Sequence, residues 1–256
     1  MDEEFIRDIS AVDYTSRVTI ENPFNMEACI KLKESTNARI CVGRAGARYK
    51  TETLLKFLAD HAAAMDSVWS YVDEDIIDKL GFLKVKTLVK DKEEYIKRPD
   101  LGKKFSKETI DMIKNKCIHD PDVQIIAADG LSAFAIDANL EDVYSILTDG
   151  LEAKGYKVGT PIFVKYGRVA TMDMISEALN AEVTVLLVGE RPGLVTNESM
   201  SSYMAYHSST SKPESQRTVV SNIYKDGTPP VEAGAQIMYL IELMMKKKKS
   251  GIDLKI

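Results

Sequence analysis

One stretch constrains the fold more than any other. Val183-Thr184-Val185-Leu186-Leu187-Val188 is a β-branched, uninterrupted apolar run, followed at once by Gly189-Glu190-Arg191-Pro192-Gly193-Leu194. A short continuous apolar run suits a strand covered on both faces, as in the middle of a parallel sheet, because a strand with one wet face alternates instead. Gly189 removes the side chain where the chain turns, and Glu190 and Arg191 place opposite charges there. Pro192-Gly193 then forbids either a continued strand or an immediate helix. A buried strand that delivers a glycine-flanked charged loop at its carboxyl end marks the place where open α/β sheets bind ligands.

The same unit occurs twice before it. Residues 123–128 read as a strand that ends in Asp129-Gly130-Leu131-Ser132, and residues 140–154 as an amphipathic helix with Val143, Ile146, Leu147 and Leu151 inside, stopped by Gly155. Residues 161–164 form the next strand, leading to Lys165-Tyr166-Gly167-Arg168-Val169 and a helix over 172–179. Right-handed crossovers keep parallel strands aligned, so all three glycine-and-charge loops are expected at one edge of one sheet. The fold class expected is α/β: a Rossmann-like open, mainly parallel sheet with helices on both faces, preceded by a helical or irregular N-terminal region.

The flanking segments read less regularly. Residues 1–37 carry more acids than bases, lack a sustained apolar period and contain the Asn22-Pro23 breaker, so they read as an arm, with Phe5 and Ile9 on one face of a short helix. Residues 38–256 read as the main domain, with 38–105 a candidate helical subdomain. Within it, 38–42 looks like a short strand or extended entry, ending in Gly43-Arg44-Ala45-Gly46-Ala47-Arg48, where two arginines can form an anion pocket, a surface turn or a subunit contact. From Thr51 the spacing of Leu54, Leu55, Leu58, Ala62 and Met65 predicts a helix with a single apolar stripe. A short helix is expected at 73–80. In 82–89, Leu83, Val85, Thr87 and Val89 against Lys84, Lys86 and Lys90 predict a half-exposed edge strand guarded by lysines. A turn at 97–102 precedes a helix capped by Ser106, and two more strands at 202–206 and 218–222 precede a last helix over 231–249.

Composition excludes several classes of function. With 39 acidic against 34 basic residues, nothing sequence-wide favours nucleic acid or an anionic membrane, and no apolar run reaches the ~18 residues of a membrane span. Cys29, Cys41 and Cys117 are odd in number and far apart, which fits neither a disulfide framework nor a Cys-x-x-Cys metal site and points to a cytoplasmic protein. Three scattered histidines, no nucleophile elbow and no paired carboxylates leave no triad, metal cage or glycosidase pair, so no catalytic and no metal-ligating residue is assigned. From the residues alone the reading stops at an α/β binding domain with its site at the strand carboxyl ends. A stand-alone enzyme using Glu190 as general base on a nucleotide-like or phosphorylated substrate is the rival reading.

Eight runs then resemble one family in order and spacing. They are Cys41-Val42-Gly43-Arg44-Ala45-Gly46, Phe57-Leu58-Ala59-Asp60-His61, Arg98-Pro99-Asp100-Leu101-Gly102, Asp129-Gly130-Leu131-Ser132, Val158-Gly159-Thr160-Pro161, Tyr166-Gly167-Arg168-Val169, Leu186 through Leu194, and Gly227-Thr228-Pro229-Pro230-Val231-Glu232-Ala233. Together they are similar to the small (light) subunit of ethanolamine ammonia-lyase, across residues 38–256.

The resemblance implies a hetero-oligomer of large–small pairs that uses adenosylcobalamin to convert ethanolamine to acetaldehyde and ammonia by a radical mechanism. The large subunit carries substrate and chemistry, and the small subunit closes over the corrinoid from the other side. By motif, the corrinoid-contacting positions fall on Val169, Glu190 and Val219. At the third position other members can have Cys and this chain has Val219, so contact there must be apolar or through backbone and not through a thiol. Tyr166, Arg168 and Arg191 follow as further contacts, with interface salt bridges as the competing explanation. The chain lacks Asp-x-His-x-x-Gly, which implies a base-on cofactor with no protein histidine on cobalt. The resemblance also allows a cytoplasmic location inside a bacterial microcompartment.

Overall fold

The computed structural model describes Tyr14 and residues 17–255. The short helix expected around Phe5 and Ile9 lies outside the described residues. The chain divides into two compact units, one of residues up to Asp66 with Gly193–Thr196, the other of Ser67–Pro192 with Asn197–Ile256.

In the first unit, α1 (Met26–Glu34) starts where the Asn25 side chain accepts from Ala28 N at 2.9 Å. That helix falls inside the segment read from sequence as an arm without apolar period, and most of its residues are exposed. Of the short strand or extended entry expected over 38–42, the strand does not form. Cys41 sits at φ +53, in the left-handed region, which breaks an extended run. A two-residue hairpin follows instead, β1 (Arg44–Ala45) antiparallel to β2 (Arg48–Tyr49). Arg44 donates to Ala47 O at 3.1 Å and lies 4.6 Å from the Tyr49 ring centroid, so its fork closes its own hairpin rather than framing an anion pocket.

The long helix α2 (Thr51–Trp69) forms where the period predicts it, but its leucine stripe is not the buried face. Leu54, Leu55, Leu58 and Met65 are 43–50% exposed, whereas Thr53, Ala64 and Ser67 are buried. Periodicity locates an apolar face; it does not say what covers it.

The second unit holds a six-stranded sheet in the order β3 (Leu83–Lys86), β5 (Ile162–Lys165), β4 (Val123–Ala128), β6 (Val183–Gly189), β7 (Met200–Tyr206), β8 (Thr218–Ile223). The first four strands are mutually parallel, and β7 runs antiparallel to both β6 and β8. β4 and β6 are buried at every residue and pair in register from Val123↔Val183 to Ala128↔Val188, as an unbroken apolar run requires. β3 is an edge strand, with Lys84 and Lys86 exposed and Val85 buried.

Six α-helices belong to this unit among the described residues: α3 (Glu74–Lys79), α4 (Lys92–Lys97), α5 (Lys107–Lys116), α6 (Ala133–Ala153), α7 (Thr171–Leu179) and α8 (Pro230–Lys247). One face of the sheet, with Val183, Val185 and Leu187, packs on Leu140, Val143 and Leu147 of α6 and Ile237, Ile241 and Met244 of α8. The other, with Leu186 and Val188, packs on Ile113 of α5 and Met172, Ile175 and Leu179 of α7. Alternation along a strand sends neighbours to opposite faces, so one apolar run supplies both cores.

α4 has no apolar period to announce it; its signal is Asp91, whose carboxylate accepts from Glu94 N at 2.9 Å. α6 starts seven residues before the expected 140, because Ser132 caps Ala135 N at 3.1 Å. Its predecessor β4 and the crossover from β5 send α6 and α7 to opposite faces, which opens a crevice at the strand ends.

Candidate functional site

The loops after β4, β5 and β6 are locked to one another by buried polar bonds. Asp129, at the end of β4, is 2% exposed; its Oδ2 accepts from Tyr166 N at 2.9 Å and its Oδ1 from Gly167 N at 3.0 Å. These bonds hold Tyr166 at φ +59, a strained conformation for an aromatic residue. Burial pushes the Asp129 carboxyl up from its ordinary range, while Lys92 and the amides of Tyr166, Gly167 and Gly130 pull the other way. Gly130 (φ +57) lets the β4 loop touch the β6 loop: a Cβ there would stand 2.2 Å from Gly189 O. Leu131 N donates to the same carbonyl at 3.1 Å.

Above this base lies a cavity of about 390 Å³. Its lining includes Leu131 from the first loop, Arg168 and Val169 from the second, Glu190 and Arg191 from the third, Ser201 and Tyr203 from β7, and Val219 and Ser221 from β8. Val169, Glu190 and Val219, named from three separate stretches of sequence, therefore line one cavity. Val219 is 44% exposed and pairs with Tyr203 across β7–β8.

Glu190 is held in place by its own chain. Its amide donates to Ser199 O at 2.9 Å, and its Oε2 accepts from Ser199 Oγ at 2.8 Å. Its Oε1 accepts from Ser201 Oγ and from Asn222 N, the latter at 3.0 Å. The register between β7 and β8 shifts between Met200 and Ser202, and this irregularity frees the Asn222 amide from the ladder for Glu190. Arg191 is exposed and is not among the partners of Glu190, so the surface ion pair is not the arrangement found. A carboxylate offers about four acceptor positions, of which three are filled, leaving about one for a ligand. Glu190 is thus a fixed acceptor, an arrangement less suited to a general base, which has to swing onto a proton.

The further contacts divide. Tyr166 is 4% exposed, with its ring against Tyr95 (5.8 Å between centroids) and Tyr71 (6.4 Å), outside the cavity lining. Arg168 lines the cavity but is spent on the fold: it donates to Tyr95 O at 3.0 Å and its guanidinium stacks 4.1 Å from the Tyr95 centroid. Sequence reading missed Ser199, Ser201 and Asn222. The one available signal was the pair of hydroxyls two apart just after the charged loop, which face Glu190 only once β7 folds back antiparallel.

A family model described as ethanolamine ammonia-lyase light chain matches residues 26–255. The chain belongs to the ethanolamine ammonia-lyase light-chain family. It is 69% identical over 230 residues to the ethanolamine ammonia-lyase small subunit of Clostridium acetobutylicum, spanning 90% of this chain and 95% of that one. The small subunits of Clostridium perfringens and Clostridioides difficile are 54% and 52% identical, over 99% and 98% of this light chain and 86% and 85% of theirs. Within this light chain, no helix among the described residues is long and apolar enough to cross a membrane.

Proposed function

We propose that this light chain is the non-catalytic small subunit of an adenosylcobalamin-dependent ethanolamine ammonia-lyase, and that residues 38–256 hold one edge of the corrinoid against a large subunit. The observation that carries this reading is the convergence of Val169, Glu190 and Val219 on one cavity at the strand carboxyl ends. The chemistry of the residues fits such a group. A corrin ring is apolar on its faces and fringed by amide side chains; Val169, Val219 and Leu131 supply apolar wall, and Glu190 supplies a pre-set acceptor for an amide N–H. When bound, adenosylcobalamin supplies a cobalt–carbon bond as the source of radicals, and the substrate pocket belongs to the partner. This chain's own residues bind an edge, orient it through Glu190 and exclude water with the valines. The exposed leucine face of α2 supports a chain that works against another.

The experiment is a cobalamin titration of the purified large–small complex carrying Glu190→Ala, with ethanolamine deamination as a second readout. Loss of a hydrogen bond to a charged group, about 1.5–3 kcal/mol, weakens binding by about 10- to 150-fold. Unchanged affinity in the variant, or full lyase activity from this chain alone, refutes the proposal.

A further inference from the structure

Lys92 is a buried charged group that lies outside the cavity lining and takes no part in the bonds described so far. It opens α4, is 3% exposed, and its Nζ has no hydrogen-bond partner. The rings of Tyr71, Tyr95 and Tyr166 surround it, with centroids 5.4, 5.6 and 5.9 Å from Nζ. Burying an ammonium without an acceptor is costly, and a methionine of similar length would fill the space more cheaply. A residue kept there against that cost needs a counterpart, and the nearest buried group of opposite charge is Asp129. No ion pair of 4.0 Å or less joins the two; they meet at Tyr166, whose ring lies 5.9 Å from the Lys92 Nζ and whose amide donates to Asp129. Burial pushes the Lys92 ammonium down from the ordinary lysine range, Asp129 pulls it back up, and Lys165 and Arg168 push it down further.

The other cations nearby are already committed. Lys165 Nζ lies over the Tyr71 ring at 5.2 Å and 4.0 Å from Glu74, Lys86 donates to Lys90 O, and Arg168 is bound to Tyr95. Asp129 in turn is the acceptor that fixes the β5–α7 loop, three residues before Val169.

We propose that Lys92 is a positioning residue for the corrinoid site: its caged ammonium is the counter-charge that lets Asp129 hold the amides of Tyr166 and Gly167, and through them sets Val169 at the cavity wall. The inference rests on the reading of that cavity as the corrinoid face. Lys92 touches no ligand; it acts two steps away.

The groups facing the pair are Lys92 and Tyr95 from α4, Asp91 at its cap, Tyr71 before α3, Lys86 from β3, Lys165 from β5, and Tyr166 and Arg168 from the loop after β5. Burial already raises the Asp129 carboxyl and Lys92 opposes that rise, so removing the Lys92 charge moves Asp129 further toward its protonated form.

The test uses the full large–small complex and hydroxocobalamin as probe, titrated between pH 6 and pH 9, with Lys92→Met, Lys92→Arg, Asp129→Asn and the Lys92→Met/Asp129→Asn pair. In Lys92→Met, affinity is expected to fall about tenfold at pH 8 and to fall more steeply than that of the wild type as the pH is lowered. Lys92→Arg restores it to within about threefold, and Lys92→Met adds nothing in the Asp129→Asn background. Wild-type affinity in Lys92→Met across the whole range overturns the inference. So does a loss that arginine does not rescue, or one that adds in full to Asp129→Asn. If the single variant fails to fold, the arginine and double variants decide by the same criteria. Glu190→Ala separates the two levels: if it binds as wild type while Lys92→Met does not, the corrinoid assignment fails; if Glu190→Ala weakens binding and Lys92→Met does not, only the role of Lys92 fails.

Discussion

Gly130 and Gly155 allow the close approach of the β4 and β6 loops to be measured. Both sit in the left-handed region, at φ +57 and φ +81, so alanine at either pays the same kind of backbone strain, about 1–2 kcal/mol. They differ in what a Cβ meets. At Gly155 there is nothing within 4 Å; at Gly130 the new atom stands 2.2 Å from Gly189 O, 2.7 Å from a Val188 methyl and 2.9 Å from Gly189 N. Two of those three are backbone of a buried strand end and cannot rotate away. Forcing the loops apart adds about 1–3 kcal/mol for overpacking, so Gly130→Ala should cost about 2–5 kcal/mol. For a unit of this size 1 kcal/mol moves the melting midpoint by about 2–4 °C, giving a fall of about 4–20 °C for Gly130→Ala and about 2–8 °C for Gly155→Ala. Scanning calorimetry of the two variants beside wild type reads the difference. Equal shifts would mean that the loops are not in contact as described, and the argument that Gly130 shapes the cavity floor would fail with them.

Two further outcomes follow from buried groups. Arg217 and Asp173 form an ion pair at 2.7 Å with side chains 9% and 8% exposed, and Ser208 also donates to Asp173. Arg217→Met strands a buried carboxylate at a cost of about 3–5 kcal/mol, expected as a calorimetric midpoint lower by about 6–20 °C; a change under 2 °C would contradict it. The Cys117 thiol is pushed up to about 11 by burial, so at pH 8 its thiolate fraction is about two orders of magnitude below that of an ordinary thiol. Alkylation of the native chain at pH 8, read by mass spectrometry, should label Cys117 at least about 100-fold more slowly than a model thiol, and a rate within about tenfold would refute the burial.

What the chain discloses without its structure depends on how local the determinant is. β6 and its loop are legible because an unbroken Val/Leu run has few alternatives, and β3 because alternating lysines mark an edge. α4 is invisible to periodicity, being six residues held mainly by the Asp91 cap and by Tyr95. That 38–42 does not form a strand turns on one dihedral, that of Cys41, which no composition rule reports. The leucines of α2 show the opposite failure: the pattern is right and the burial wrong, because what covers an apolar face is not encoded in that face. Around the cavity, the loops were legible from strand ends. The donors to Glu190 were not, because Ser199 and Ser201 come opposite it through antiparallel register and Asn222 through an irregularity in pairing, both properties of two strands at once.

The same donors bear on why such a site would be shared between chains. On the corrinoid reading, Glu190 has about one acceptor position left, which contributes about 1.5–3 kcal/mol to an amide partner. Val219 is 44% exposed, so covering it adds only about half of the 1.5–3 kcal/mol that full burial of a valine side chain supplies. These terms reach about 4 kcal/mol, which corresponds to about millimolar affinity before the cost of ordering the ligand. The contribution of this face is therefore orientation rather than tightness. A carboxylate already bonded to Ser199, Ser201 and Asn222 spends no further entropy on being positioned, so a weak contact still sets direction. The remaining affinity has to come from the surface that meets the cofactor's other side, which is why the reading requires a second chain and why Glu190 is rigid where a self-sufficient enzyme would need it mobile.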